Sequence, residues 1–176
     1  MTPAANFSEY MNAGVQYNNT GEHQSALQMR FVAYGIAEND LDTGRAARDI
    51  SHSFERLGDT LFAEAYAEHA FRVHNALYEG LGQEASDSER VAREYRASAG
   101  CMGTLALRAA LSSEDAETFD HKALVTARTL LAEAARGPEV DQYTINFAGR
   151  WAFLLGMYNS LSLIHISEPT RLRRIS

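Results

Sequence analysis

An all-α fold is predicted by three observations. Proline occurs only at Pro3, Pro138 and Pro169, so no pyrrolidine ring interrupts a helix between Ala4 and Gly137. Apolar residues recur at steps of three and four, as in Phe62, Tyr66, Val73 and Leu77 with Ala63, Ala67 and Ala70 beside them. The same steps link Ala47, Ile50, Phe54 and Leu57, and again Ala123, Ala127, Leu130 and Ala134. No alternating Val/Ile/Thr run flanks a hairpin turn, so strands are not predicted.

About seven helices follow from the breaks, taken in order. Thr20-Gly21 separates a helix over 7–20 from one over 22–38. Asp40 to Gly44 reads as a polar turn, and Leu57-Gly58 closes a helix over 42–57. The next runs over 59–79 and ends in the polar stretch from Gly80 to Asp87. Ser86 with Glu89 has capping-box spacing at the start of 87–111, as Ser112 with Asp115 has for 114–136. Gly137-Pro138 is a helix stop, and a last helix is predicted over 141–160.

The 176 residues suffice for one domain. At that length roughly 70% of the unfolded surface can be buried without staples. One cysteine, Cys101, excludes a disulfide framework and a Cys-rich zinc site. The mean hydropathy is −0.30 and no apolar run could span a bilayer. Residues 1–6 lack a basic flank and an apolar segment, so no export signal is read and a cytoplasmic location is expected.

The last sixteen residues, LSLIHISEPTRLRRIS from Leu161 to Ser176, resemble a translated sequencing adapter of the transposase type. They are expected to be a non-native tail outside the fold, with the natural chain running on past Ser160. The tail carries Arg171, Arg173, Arg174 and Glu168. Without these, 16 basic and 23 acidic residues become 13 and 22, a net charge of −9. An acidic chain argues against a nucleic-acid or anionic-membrane surface.

The chain also repeats itself. Tyr17 lies four residues before Gly21, and Ala26 five after it; Phe54 and Ala63 stand in the same relation to Gly58. Residues Ala148 to Gly156 repeat the Ala-Gly step of Ala13-Gly14 and its seven-residue spacing to a second glycine. In physical terms, the aromatic closes the wedge between two antiparallel helices, the glycine tightens the turn, and the small residue permits close approach. Each pair leaves an apolar face that a neighbouring pair must cover.

At these positions the chain resembles the tetratricopeptide repeat family, over roughly residues 7–160. In the first repeat Tyr10, Ala13, Gly14, Tyr17, Gly21, Ala26 and Ala33 fall on its pattern, with Arg30 where an aromatic is usual. In the second Ile50, Phe54, Gly58, Ala63 and Ala70 match, with Ala47, Ser51 and Ala67 replacing Trp, the first Gly and the second-helix Phe. The third repeat is degenerate and the adapter-like tail cuts the fourth. The resemblance implies a right-handed α-solenoid of antiparallel helix pairs over 1–160. It implies a concave groove, lined by the first helix of each pair, that takes an extended peptide or a partner helix.

No H-E-x-x-H, Walker loop, G-x-S-x-G or G-x-G-x-x-G occurs, so no enzyme activity, cofactor or metal is expected. Glu64, Glu68 and His69 lack the Glu-x-x-His spacing of a di-metal site and read as a solvated helix face. Cys101, in ASAGCMG, has no flanking charge to activate it and reads as a small packed residue.

The candidate site is therefore a surface. The first helices would present Asn12 and Asn19, then Arg45, Arg48, His52 and Arg56, then Arg93, and finally Asn146 and Arg150. Arg45, Arg48, His52 and Arg56 share one helical stripe. Arginine forks favour carboxylates, and asparagine side chains can hold an extended backbone. The competing reading is that these arginines pair with Asp49, Glu55 and Glu89 on solvated helices. Met11 and Val15 stand where a Lys/Asn carboxylate clamp would begin, so that specificity is not expected. The expected function is a non-catalytic protein- or peptide-binding scaffold for an acidic partner, with no nucleic acid or membrane and the oligomeric state left open. The alternative is a sensor module of a longer signalling or transcription-regulating protein.

Overall fold

The computed structural model describes residues 6–81, 88–111 and 121–136. Among these residues the chain is all-helical: α1 (Phe7–Asn19), α2 (His23–Gly35), α3 (Asp40–Leu57), α4 (Thr60–Glu79), α5 (Ser88–Leu111) and α6 (His121–Ala134). The helix expected over 141–160, the fourth repeat and the tail lie outside the described residues. So do Ser86, Ser112 and Asp115 of the two expected capping boxes.

Side-chain caps set three of the helix starts. Asn6 and Glu9 form a reciprocal capping box, with Glu9 N–H donating to Asn6 Oδ1 at 3.1 Å and Asn6 N–H to Glu9 Oε2 at 2.9 Å. Asp59 caps α4. At α3 the expected polar turn is instead the first helical turn. Asn39 Oδ1 accepts the Asp42 N–H at 2.9 Å, and Asp40 and Asp42 lie at the positive end of the helix dipole. The helix thus begins at Asp40, two residues before the expected start, with Gly44 in its second turn.

The repeated spacing has one geometric cause. Gly21 and Gly58 adopt φ of 83° and 82°, a left-handed turn that glycine makes without Cβ strain. The residue after each glycine then donates back to the aromatic's carbonyl, Glu22 N–H to Tyr17 O at 2.8 Å and Asp59 N–H to Phe54 O at 2.9 Å. Four residues from aromatic to glycine is thus the length of this closing turn. Ala26 and Ala63 follow in the next helix, both fully buried.

Adjacent helices pack in chain order, most extensively within α1–α2, α3–α4 and α5–α6. The helices α1, α3 and α5 also touch in sequence. By contrast, α2 and α4 meet through side chains, Phe31 with Tyr66 at 5.8 Å, Tyr34 with Tyr66 at 6.3 Å, and the Tyr34 hydroxyl 3.1 Å from His69 Nε2. Phe54 behaves as expected, half-buried against Ala63, Ala67, Cys101 and Leu105 and stacked on Phe62 at 5.1 Å. Tyr17 does not: its residue is 37% exposed, and the inner side of α1 is closed by Met11 and Gly14 instead.

His74 ties three helices together. Its Nε2 lies 3.2 Å from the Leu41 carbonyl, which can only accept, so Nε2 carries the proton of the neutral ring. Nδ1 accepts from Ser98 Oγ at 2.7 Å. The ring fits because α3 has a glycine opposite it. A Cβ on Gly44 would come within 2.8 Å of His74 Cδ2 and Cε1. Gly44→Ala should gain about 1 kcal/mol of helix propensity but lose about 1–3 kcal/mol to overpacking, because two hydrogen bonds hold the ring in place. A net fall in the urea midpoint is expected, and an unchanged or raised midpoint would show that the ring can move aside.

Burial pushes the His74 pKa below its ordinary 6.5; the hydrogen bond to Leu41 O opposes this in part, the charge of Arg48 adds to it, Glu94 opposes it, and Arg45 adds least. Folding therefore favours the neutral ring. Its stabilisation is complete above the unfolded-state value and is lost as pH falls below that value toward the lowered folded one. His74→Gln keeps a donor and an acceptor but does not titrate. Between about pH 7 and pH 5 the wild type should lose stability relative to this variant, measured by urea unfolding at each pH. Parallel pH profiles would contradict the assignment.

Candidate functional site

Arginines on α3 meet carboxylates from two directions. Asn39 Nδ2 holds Asp42 Oδ2 at 3.1 Å, and Asp42 Oδ1 takes Arg45 at 3.3 Å and Arg90 at 3.4 Å. Glu94, on α5 and 7% exposed, accepts from Arg48 Nη1 at 2.6 Å. Its other oxygen lies 3.4 Å from Arg45 Nε without hydrogen-bond geometry. Arg45 also sits 5.8 Å above the Phe7 ring. Arg48 is 3.6 Å from the Asp49 carboxylate as well. Burial works against its charge, but Asp49 and Glu94 outweigh it and raise its pKa.

A cleft of about 320 Å³ opens beside this network. Asn18 of α1 and Arg48, Asp49, His52, Glu55 and Arg56 of α3 form one side. Ala97, Gly100, Cys101 and Thr104 of α5 form the other, and Arg30 enters from α2. Arg30 is 4% exposed. Its stem and Nε lie against Gly14, where a Cβ would be 3.1 Å from Arg30 Cγ and 3.3 Å from Nε. Its Nη1 donates to Asp49 O at 2.9 Å and to Ser53 Oγ. Its Nε has no hydrogen-bond partner among the described residues. A buried donor left unmade costs about 1–3 kcal/mol. Burial lowers the Arg30 pKa, Asp49 offsets this in part, and the charge of Arg56 adds to it.

The acids of the cleft are already engaged. Glu55 takes His52 Nδ1 at 3.4 Å and the guanidinium of Arg108. Burial would raise the Glu55 pKa, but the His52 hydrogen bond and the Arg108 charge outweigh it and hold it below the ordinary carboxylate range. Burial pushes the Cys101 thiol up to about 11, against the Ser51 hydrogen bond and the Arg48 charge. That thiol is protonated at neutral pH and inert as a nucleophile. Ser51 Oγ lies 3.7 Å from it and donates to Ala63 O at 2.7 Å.

Of the residues singled out from sequence, the cleft brings together Arg48, His52 and Arg56. Arg45 is spent on Asp42 and Glu94 outside it. Asn12, Asn19 and Arg93 are exposed and do not line it, whereas Asn18 does, with its Oδ1 3.0 Å from His23 Nδ1. Asn146 and Arg150 lie outside the described residues. The expected pairing with Asp49 holds for Arg48, whereas Glu55 pairs with Arg108, an arginine not singled out from sequence. Sequence reasoning missed Glu94 and the inward turn of Arg30. For Arg30 the signal was present, a long cation at a position where the repeat pattern places an aromatic.

Compared with protein-family models, curated proteins and solved structures, the chain gives no match. No group of three or more His, Cys, Asp or Glu residues among the described residues has metal-binding geometry, and none of their helices is long and apolar enough to cross a membrane.

Replacing Glu94 by Gln removes the charge that two guanidiniums share. Arg45 keeps 31% of its side chain exposed, so the loss should fall near the low end for breaking a buried pair, about 3 kcal/mol. Urea unfolding measures it. A loss below about 1 kcal/mol would make the pair no stronger than a surface one.

Proposed function

We propose that the chain is a right-handed solenoid of tetratricopeptide-type helix pairs that binds an extended protein or peptide segment along α1, α3 and α5. The observation that carries this reading is the cleft. Its walls come from all three first helices, and the second helices contribute only Arg30. The small residues Ala97, Gly100 and Cys101 leave room opposite the longer α3 side chains. An extended backbone fits such a channel, and polar groups along it supply partners for peptide N–H and C=O groups.

The charge of the cleft favours an acidic segment. Arg48 is neutralised by Glu94 and Asp49, whereas Arg56 makes no ion pair with another described residue. The chain as a whole is acidic, so an acidic ligand is drawn to this local positive site and repelled elsewhere. The reading is non-catalytic.

The 176-residue chain screened against acidic and neutral peptide pools tests it. Acidic peptides should bind and lose affinity as ionic strength rises, because exposed charge pairs are screened beyond about 10 Å at 0.1 M salt. Equal and salt-insensitive binding of both pools would overturn the acidic-groove reading.

A further inference from the structure

We propose that the cleft contains a carboxylate-binding site, formed by the Arg30 and Arg56 guanidiniums with the Thr104 hydroxyl as a further donor. The proposal rests on the groove reading for its biological ligand but not for its chemistry. Three buried polar atoms lack a hydrogen-bond partner among the described residues: Arg30 Nε, Arg45 Nε and Thr104 Oγ1. Arg45 Nε faces Glu94 in an ion pair. The other two belong to residues that line the same cleft and are 4% and 2% exposed. A helical threonine usually returns its hydroxyl to a carbonyl one turn back, as Thr43 does to Asn39 O at 2.9 Å. Thr104 does not, and its buried hydroxyl is left without a partner among the described residues.

Charge points the same way. Both acids of the cleft have cationic partners, Asp49 with Arg48 and Glu55 with Arg108. Arg30 and Arg56 touch no carboxylate among the described residues, and the charge of Arg56 disfavours that of Arg30. An anion between them would remove this repulsion and complete the Arg30 fork. A carboxylate suits the site because two oxygens can accept from two guanidiniums and still take a hydroxyl. Arg30 is pre-oriented by Asp49 O and Ser53 Oγ, so little rotamer freedom is lost on binding. The carboxylate can come from an acidic side chain of a bound segment or from a free small acid.

The test follows the Arg30 Nε–H resonance of the full chain during titration. The probes are succinate, its uncharged analogue succinamide, and a capped alternating glutamate–alanine peptide. Succinate should shift the signal saturably, and succinamide should not. Arg56→Gln, at an exposed position, should weaken succinate binding by ~10-fold or more, the loss expected for a charge-assisted hydrogen bond. Thr104→Val should weaken it less, and Arg128→Gln on α6 should leave it within about twofold of wild type. An equal shift by succinamide, or unaltered succinate affinity in Arg56→Gln, overturns the site. Peptide that competes with succinate identifies the carboxylate as a side chain of a bound segment. Peptide that binds equally to wild type and Arg56→Gln leaves the groove standing and removes the carboxylate site. Succinate that binds where no peptide does leaves the site standing and removes the groove. Absence of both kinds of binding removes both.

Discussion

The constraint on which the structure depends is the narrowness of its helix interfaces. Ala26, Ala33, Ala46, Ala47, Ala63, Ala67, Ala70 and Ala99 are all fully buried, and the two largest fully buried side chains are Ile50 and His74. Alanine at the contact lets backbones approach closely, but each methyl removes little apolar surface from water. A core of this kind has a small hydrophobic reserve. It depends on many short contacts at high packing density, where one extra methylene is felt.

That shortage explains why so much of the interior is polar. Ser51, Ser53, His74, Glu94, Ser98 and Arg30 are buried beside the alanines, and most are paired across helices rather than within one. A hydrogen bond adds direction to an interface whose apolar part has none. His74 fixes α4 against the start of α3 and the middle of α5, and Glu94 fixes α5 against two turns of α3. These polar ties set the spacing of the first helices, and that spacing is what opens the cleft.

How much of this could be read from sequence depends on the range of the interaction. The aromatic–Gly–Ala spacing was legible at Tyr17-Gly21-Ala26 and Phe54-Gly58-Ala63 because one local turn generates it. The start of α3 was not, since Asp40 to Gly44 has the composition of a turn and only the Asn39 cap converts it to helix. The α3 stripe was legible as a stripe, because helical geometry alone puts Arg45, Arg48, His52 and Arg56 on one side. Which of these arginines is neutralised was not, because Glu94 lies 46 residues from Arg48 along the chain. Tyr17 shows the limit of pattern matching. It holds the right register and makes the right backbone bond, yet its ring stays at the surface while Arg30 fills the space beside Gly14.

The two sides of the stack differ for a geometric reason. On the inner side α1, α3 and α5 touch, so their facing residues must alternate in size, and small residues of α5 face long side chains of α3. On the outer side the α2 and α4 backbones stand apart, joined by the Tyr34–His69 hydrogen bond and by rings: Phe31, Tyr34, Phe62 and Tyr66, with Phe54 of α3, form a continuous edge-and-stack cluster. Such ring pairs contribute about 0.5–1.5 kcal/mol each beyond area burial, so the outer cluster supplies apolar cohesion that the alanine interfaces lack. The inner side still carries core residues of α3 and α5, such as Ile50, Cys101 and Leu105. It can hold charge, and Arg30 is the point where the two demands meet. Its stem packs like an apolar side chain against Gly14, and its guanidinium stands among the polar groups of the cleft. An aromatic at that position would serve the packing alone.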